Sequence, residues 1–441
     1  MNLPNSKGLS IIGPGATNLT LSNAVFDMNC SANRPHRISG FRFTGNSTEV
    51  SLGGTCRGFR IDNNTFFNVG GDVVKIDAGR YLAGPLYGVI DNNTFTQTGG
   101  NQRSIIMYSG GIEYGVRTNW PAGSRLAHPD NIFIEDNVFD YGSQSDPGSG
   151  VVDSNSGAAW VFRFNAVKNG GVKSHGVCNS EGTVNQSVYG NKFVHNSGIP
   201  SGYRSIHNQG SGEAVYFDNQ FTASGSKSGG TIEVLHYRSA NGNTAGCSLY
   251  PRCDGSAVNS GWDGNLSPLS TNYGYRCRYQ PGSKAGPNGT SELSPIYAWN
   301  NSWTDTSARV PVNIADAWSS DRPRVQDHVK PDRDFYDALS NSPQTSKSSP
   351  FDGTKGVGFG TLANRPSTCS TNPNETGGGV GYWATDVGEW NSRSPGPDGR
   401  LFRCSATNTW TAHYMPYSYP HPLQSAAAQK RPKPPSALNT D

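Results

Sequence analysis

Residues 59–66 read Phe59-Arg-Ile-Asp-Asn-Asn-Thr-Phe66: apolar and polar side chains alternate, two amides follow, and an aromatic closes the phrase. The phrase returns as Gly88-Val-Ile-Asp-Asn-Asn-Thr-Phe95 and Phe133-Ile-Glu-Asp-Asn-Val-Phe139, with looser copies ending at Val167, Phe193, Phe221 and Trp303 and degenerate opening copies at Phe26 and Phe43. Each copy alternates over only five or six positions, which is the period of a strand and too short for an amphipathic helix. Successive anchors at 26, 43, 66, 95, 139, 167, 193 and 221 are 17, 23, 29, 44, 28, 26 and 28 residues apart, and the step to 303 is 82. Stacked parallel strands joined by turns of variable length accommodate such spacing, because one turn can lengthen without disturbing neighbouring rungs. A leucine-rich horseshoe would need a Leu framework and a helical segment in each repeat, and neither is present.

The recurring Asn64, Asn93, Asn137, Asn165, Asn191, Asn219 and Asn301 are expected to lie one above another at a strand-ending bend, each amide bonded to the next, with the aromatics two positions later stacked inside. Asparagine also tolerates a left-handed bend. The repeat is interrupted over 237–294, a stretch rich in Gly, Asn, Ser and Cys, and ends after Pro311. The expected organisation is therefore a solenoid over 1–311 with 237–294 inserted, an irregular wrap over 312–380 with a short helix near Asp332 to Leu339, an aromatic-rich capping module over 381–423, and a disordered tail over 424–441. The cap would cover the open strand edge of the solenoid. A glycan-binding platform is the competing reading of its aromatics.

Composition agrees with many tight turns: 55 Gly in 441 residues and only 16% charged residues. A formal charge of +3, from 36 basic and 33 acidic residues, is too balanced for nonspecific nucleic-acid binding. No apolar run reaches the length of a membrane span, so insertion into a membrane is not expected. The opening Met1-Asn-Leu-Pro-Asn lacks the regions of a signal peptide, so a secreted product implies a signal removed beforehand or a truncated gene. Eight cysteines without CxxC spacing favour disulfides in an oxidising compartment, outside the cell or on its surface, over a zinc site. Cys369 with Cys404 would staple the tail, and Cys247 and Cys253, or one of them with Cys277, a loop.

The phrases Ser39-Gly-Phe-Arg-Phe-Thr-Gly45, Val89-Ile-Asp-Asn-Asn-Thr-Phe95 and Ile134-Glu-Asp-Asn-Val-Phe139 resemble rungs of the right-handed parallel β-helix superfamily, which includes pectate lyases, polygalacturonases and phage tailspikes. The resemblance covers roughly residues 9–303 and implies an all-β, right-handed parallel β-helix solenoid. The segment from Gly381 to Leu423 resembles the end of secreted bacterial β-helix proteins. Members of the superfamily cut acidic glycans by elimination, hydrolyse neutral or acidic ones, or only bind, so the fold does not choose among them. Neither the pectate-lyase calcium cluster nor the polygalacturonase paired-Asp motif is found in the chain.

Elimination from a uronate needs a base, a cation for the carboxylate and a proton donor for the leaving oxygen. Asp153, Arg163, Lys173 and His175 fall within one turn and its bend and are the expected catalytic group. Arg204 with His207, and His236 with Arg238, follow about one and two rungs later and would extend a cationic stripe along a linear anionic chain. Upstream, Asp72, Lys75, Asp77, Arg80 and Glu113 form a second polar group. Glu113 with Asp153 would serve an inverting hydrolase if their carboxyls stood roughly 6.5–9.5 Å apart. No cofactor is assigned. A calcium ion held by Asp and Glu of adjacent rungs stays open, although no EF-hand-like spacing supports one. The chemistry thus points to a polysaccharide partner and a lyase on an acidic glycan, with an inverting hydrolase or a non-catalytic fibre, adhesin or glycan-binding protein as the alternatives.

Overall fold

The computed structural model describes residues 2–3, 9–30, 36–45, 49–54, 56–77, 86–98, 103–108, 124–142, 150–155, 157–175, 182–196, 204–227, 231–235, 280–285, 291–315, 325–348, 350–372 and 377–425. Short strands pair in parallel into three long sheets, which the chain visits in the fixed order A, B, C. Among the described residues, sheets A and B each hold ten strands and sheet C nine. The result is a right-handed parallel β-helix solenoid. Its interior is built from register rows such as Val74, Ile105, Val152, Val172, Ile206 and Ile232 of sheet A, all buried. In sheet C, Phe43, Phe66, Phe95 and Phe139 stack with ring centroids 4.8 to 4.9 Å apart, which is where the repeated aromatic was expected.

The amide ladder forms at the bend from sheet B to sheet C. Asn64, Asn93, Asn137, Asn165, Asn191 and Asn219 each donate Nδ2–H to the Oδ1 of the next, at 2.9 to 3.1 Å, and the row ends on Asn301. Each Oδ1 also accepts the backbone N–H of the preceding Asn, as Asn165 Oδ1 does from Asn137 N at 2.9 Å. All are buried. The left-handed position is the residue before the ladder: Asn63, Asn92, Asp136, Phe164, Asp218 and Asn300 have φ between 51° and 60°. The two jobs expected of one asparagine are thus divided between neighbours, since a side chain bonding along the stack must sit where the backbone has already turned. Asn137→Ala takes the acceptor of the buried Asn93 backbone N–H, while Asn93 Nδ2 keeps the Ile61 and Asp91 carbonyls, and is expected to cost about 1–3 kcal/mol in urea unfolding. A change within error would mean that the ladder contributes nothing.

The solenoid extends past Pro311. Val312–Ile314 adds a strand to sheet A, and Phe335–Asp337 adds one to sheet B beside Ile296–Trp299. The segment expected to be helical near Asp332 to Leu339 is therefore a strand, with Phe335 packed in the interior cluster and Tyr336 packed under the C-terminal module. Among the described residues of this region, the helix is Val325–His328. Within the expected wrap, Val357–Gly360 pairs in parallel with Gly381–Ala384 and so opens a four-stranded sheet completed by Arg400–Ala406 and Thr409–Tyr414. The Cys369–Cys404 disulfide staples this module, as expected. Cys56 is also disulfide-bonded, and no described cysteine is free. Cys178, Cys247, Cys253 and Cys277 lie outside the described residues.

The module lies along the flank of the solenoid, on the outer face of sheet B, rather than only across its open end. Trp383 meets Phe217 and Trp299 at 5.1 and 4.9 Å, and Trp390 meets Tyr189 edge-on at 5.8 Å. Farther along the flank, Arg60 donates to the Leu423 carbonyl. Gln424, placed by sequence in the disordered tail, donates to Glu135 Oε1.

One buried carboxylate shows how pH enters the stability of this fold. Glu49 is fully buried at the entry to Val50–Gly54, and both its carboxyl oxygens lack a hydrogen-bond partner among the described residues. Burial pushes its pKa from 4.5 to about 7. Below pH 4.5 the group is neutral folded and unfolded; between about 4.5 and 7 only the unfolded chain loses the proton, so stability falls as pH rises. Glu49→Gln is expected to remove this part of the slope in urea unfolding measured across that range. Parallel stability profiles of the two proteins would refute it.

Candidate functional site

Each sheet presents a different outer face, and the expected catalytic group is divided between two of them. Arg163 belongs to Ala159–Arg163 of sheet B, whereas Asp153 and Lys173 belong to Gly150–Asn155 and Gly171–His175 of sheet A. Arg163 is 0% exposed. Its Nε donates to Glu135 Oε2 at 2.5 Å, Nη1 to Tyr189 Oη at 3.1 Å and the Tyr417 carbonyl at 2.6 Å, and Nη2 to the Ser418 carbonyl at 2.8 Å. The expectation that Arg163 borders a substrate groove is therefore corrected: its guanidinium fork clamps the C-terminal module onto sheet B.

Asp153, Lys173 and His207 do come together. Parallel pairing sets Ile106, Asp153, Lys173, His207 and Glu233 in register on consecutive strands of sheet A, with Lys75 opposite Ile106. Side chains two positions from a buried inward residue also face inward, so Val152 inside puts Asp153 outside. Lys173 Nζ lies 3.4 Å and Arg103 Nη1 3.3 Å from Asp153 Oδ2, and Arg103 Nε reaches Asp72 Oδ1 at 2.7 Å. Arg204 Nε meets Glu233 Oε1 at 2.5 Å, and His207 Nε2 lies 3.7 Å from the same oxygen. Gln209 Nε2 stands 2.9 Å from His207 Nδ1 and holds the ring. Burial raises the Glu233 pKa, and the neighbouring Arg204 guanidinium works against that rise.

The row joins the two polar groups read from sequence, because Arg103 bridges Asp72 of the upstream group to Asp153 of the downstream one. Arg103 and Glu233 were not singled out in the sequence. Both sit inside ordinary apolar strands, with no motif to mark them, and only the register between rungs reveals them. His175 is the last residue of its strand, paired with Gln209. Glu113, His236, Arg238 and Arg80 lie outside the described residues. Among the described residues no three His, Cys, Asp or Glu stand together so as to hold a metal ion, and no helix is long and apolar enough to cross a membrane.

The chain's insertions also single out sheet A. After the first rung the B-to-C bend is two residues in every turn, as at 92–93 and 218–219. After that rung the connections of seven or more residues between described strands of the three sheets all enter or leave sheet A: 78–86, 109–131, 176–182, 235–295 and 315–334 after it, 141–149, 196–205, 224–231 and 304–311 before it. Extended loops on a rigid scaffold are where sites are built. No family model, curated protein or solved structure matches the chain.

Proposed function

We propose that the outer face of sheet A binds an acidic polysaccharide and cleaves it by β-elimination, the protein acting as a polysaccharide lyase outside the cell. The observation that carries this reading is the unbroken row Asp153, Lys173, His207, Glu233, flanked by Arg103 and Arg204. Rungs are about 4.8 Å apart, so the row spans roughly 14 Å of a linear chain. Arg103 and Arg204 supply cations for substrate carboxylates at its two ends. Between them, His207 takes on Nδ1 the proton from the carbon beside the uronate carboxylate, once the Gln209 amide that donates to that nitrogen has swung aside. The C–O bond on the next carbon then breaks, Lys173 gives a proton to the leaving oxygen, and a carbon–carbon double bond remains. Charge builds on the substrate carboxylate during proton removal, where a fixed guanidinium is most effective.

The same row disfavours hydrolysis by its own acids. Asp153 and Glu233 are three register steps apart, about 14 Å, against the roughly 6.5–9.5 Å an inverting pair requires. The deciding experiment is a screen of purified protein on acidic and neutral polysaccharides, reading the ultraviolet absorbance of unsaturated products and reducing ends separately. Elimination raises both signals on an acidic glycan. Reducing ends without absorbance would replace this reading by hydrolysis, and binding without either by a non-catalytic role.

A further inference from the structure

One inward row of sheet A changes character midway. In register it reads Ile76, Met107, Ser154, Ser174, Asn208 and Val234. Ile76, Met107 and Val234 belong to the interior apolar cluster, while the three polar members between them are equally buried. Those three directly follow Asp153, Lys173 and His207 in the chain, so the interior turns polar on the rungs that carry the outer row. Apolar residues fill the same row one rung to either side, so packing alone does not call for hydroxyls and an amide here. Polar groups in such a place must find partners.

Their partners come from sheet B and reach back to the main chain of the outer row. Ser154 Oγ accepts from Trp160 Nε1 at 2.8 Å and donates to the Lys173 carbonyl at 3.3 Å. Asn208 Nδ2 donates to Tyr216 Oη at 2.9 Å, Tyr216 Oη donates to Gln186 Oε1 at 2.9 Å, and Gln186 Nε2 donates to the His207 carbonyl at 3.2 Å. Because Asn208 follows His207 in the chain, these bonds close into a loop around the His207 peptide. Gln186 and Tyr216 are both fully buried. Burial pushes the Tyr216 pKa up, so its hydroxyl remains a donor at any working pH. A buried network whose members are satisfied rigidifies the backbone it touches.

We propose that Gln186 and Tyr216 are positioning residues for His207, fixing its peptide from inside the solenoid so that the imidazole keeps its place in the outer row. Gln209 holds the ring from the outer side, at Nδ1. Neither Gln186 nor Tyr216 touches substrate, and each acts only through the main chain of His207. The consequence for catalysis rests on the lyase reading of the sheet A face, whereas the consequence for the geometry of His207 does not.

The test compares Tyr216→Phe, which removes a single oxygen, with Gln186→Leu and Val188→Ala, all in the full chain at a temperature where each is folded. Val188 is buried and apolar on the same strand as Gln186, so its truncation weakens that strand without touching the loop. Turnover on the acidic glycan found in the screen is expected to fall about ten- to a hundredfold in Tyr216→Phe and Gln186→Leu, the cost of displacing a reacting group by about 1 Å. KM should stay unchanged, because the guanidinium groups that hold the substrate are untouched. In parallel, the ¹⁵N resonance of His207 Nδ1, identified by its loss in His207→Ala, should shift in both loop variants. Val188→Ala should alter neither turnover nor resonance. Wild-type turnover in both loop variants overturns the proposal, as does a rise in KM that matches the fall in turnover, or an equal loss in Val188→Ala. If the wild-type protein cleaves no polysaccharide, the lyase reading falls and the resonance decides alone: a His207 signal unmoved in both loop variants overturns the positioning role, and a shifted one upholds it.

Discussion

Arg163→Ala is expected to destabilise the protein by about 3–5 kcal/mol and to release the C-terminal segment from the solenoid. The guanidinium and Glu135 are both 0% exposed and joined at 2.5 Å, so removing one partner leaves a buried charge uncompensated. The same residue anchors the carbonyls of Tyr417 and Ser418, while Glu135 accepts from His421 N and Gln424 Nε2. The loss therefore spreads beyond one ion pair. Arg163→Lys keeps the charge but not the planar fork and should recover only part of the stability. The measurements are urea unfolding and limited proteolysis, the second expected to remove the segment after Tyr414 selectively in Arg163→Ala. A variant as stable and as protease-resistant as wild type would show that the clamp is incidental. At a temperature where Arg163→Lys remains folded it should retain turnover on any acidic glycan the protein cleaves, because its side chain faces sheet B and not the sheet A row.

The clamp belongs to a longer pattern on the same face. Asp62, Asp91, Glu135 and Arg163 occupy one register row, and Arg37 and Arg60 pair with Asp62 and Asp91 at 2.5 and 2.8 Å. Beyond Arg163 the row turns aromatic with Tyr189, Phe217 and Trp299. The C-terminal module covers both halves, by backbone carbonyls over the charged part and by Trp383 and Trp390 over the aromatic part. A charged row that would otherwise be solvated is thereby buried with its hydrogen bonds satisfied.

How far the chain reveals this depends on the range of each interaction. The strands and the amide ladder are legible because each copy carries its own mark: a period of two, an Asn and an aromatic two positions on. The position of the left-handed residue was misjudged by one because Asn63 and Asn92 precede ladder residues that are also Asn, whereas at Phe164 the ladder residue is the only Asn of the bend. Phe164 holds φ 56°, costly for a bulky residue, while its ring packs 4.0 Å from Tyr419. The grouping of Asp153 with Arg163 failed for a geometric reason. In a three-sided solenoid, residues ten apart lie on different faces, while Asp153 and Lys173, one whole turn apart, lie on the same one. The role of Arg163 is set by Tyr417 and Ser418, more than 250 residues downstream, and no local pattern announces such a contact.

The activity of the sheet A row is expected to collapse in Lys173→Ala and His207→Ala. Both residues stand in register on adjacent strands, between Asp153 and Glu233, and neither lies in the interior or under the C-terminal module. Their removal should therefore spare the fold, checked by an unchanged melting temperature. A positioned acid or base contributes about 10²–10⁴-fold, and a loss of that size is expected in turnover on the acidic glycan found in the screen. Added imidazole should restore part of the His207→Ala rate, because the small base can fill the space the side chain left; it should do nothing for Lys173→Ala. Arg103→Ala should act differently, weakening both substrate binding and turnover, because its guanidinium also holds Asp153 in place at 3.3 Å. If Lys173→Ala and His207→Ala both turn over at the wild-type rate, the row does not carry the chemistry, and Glu113 with the segments that border sheet A becomes the place to look.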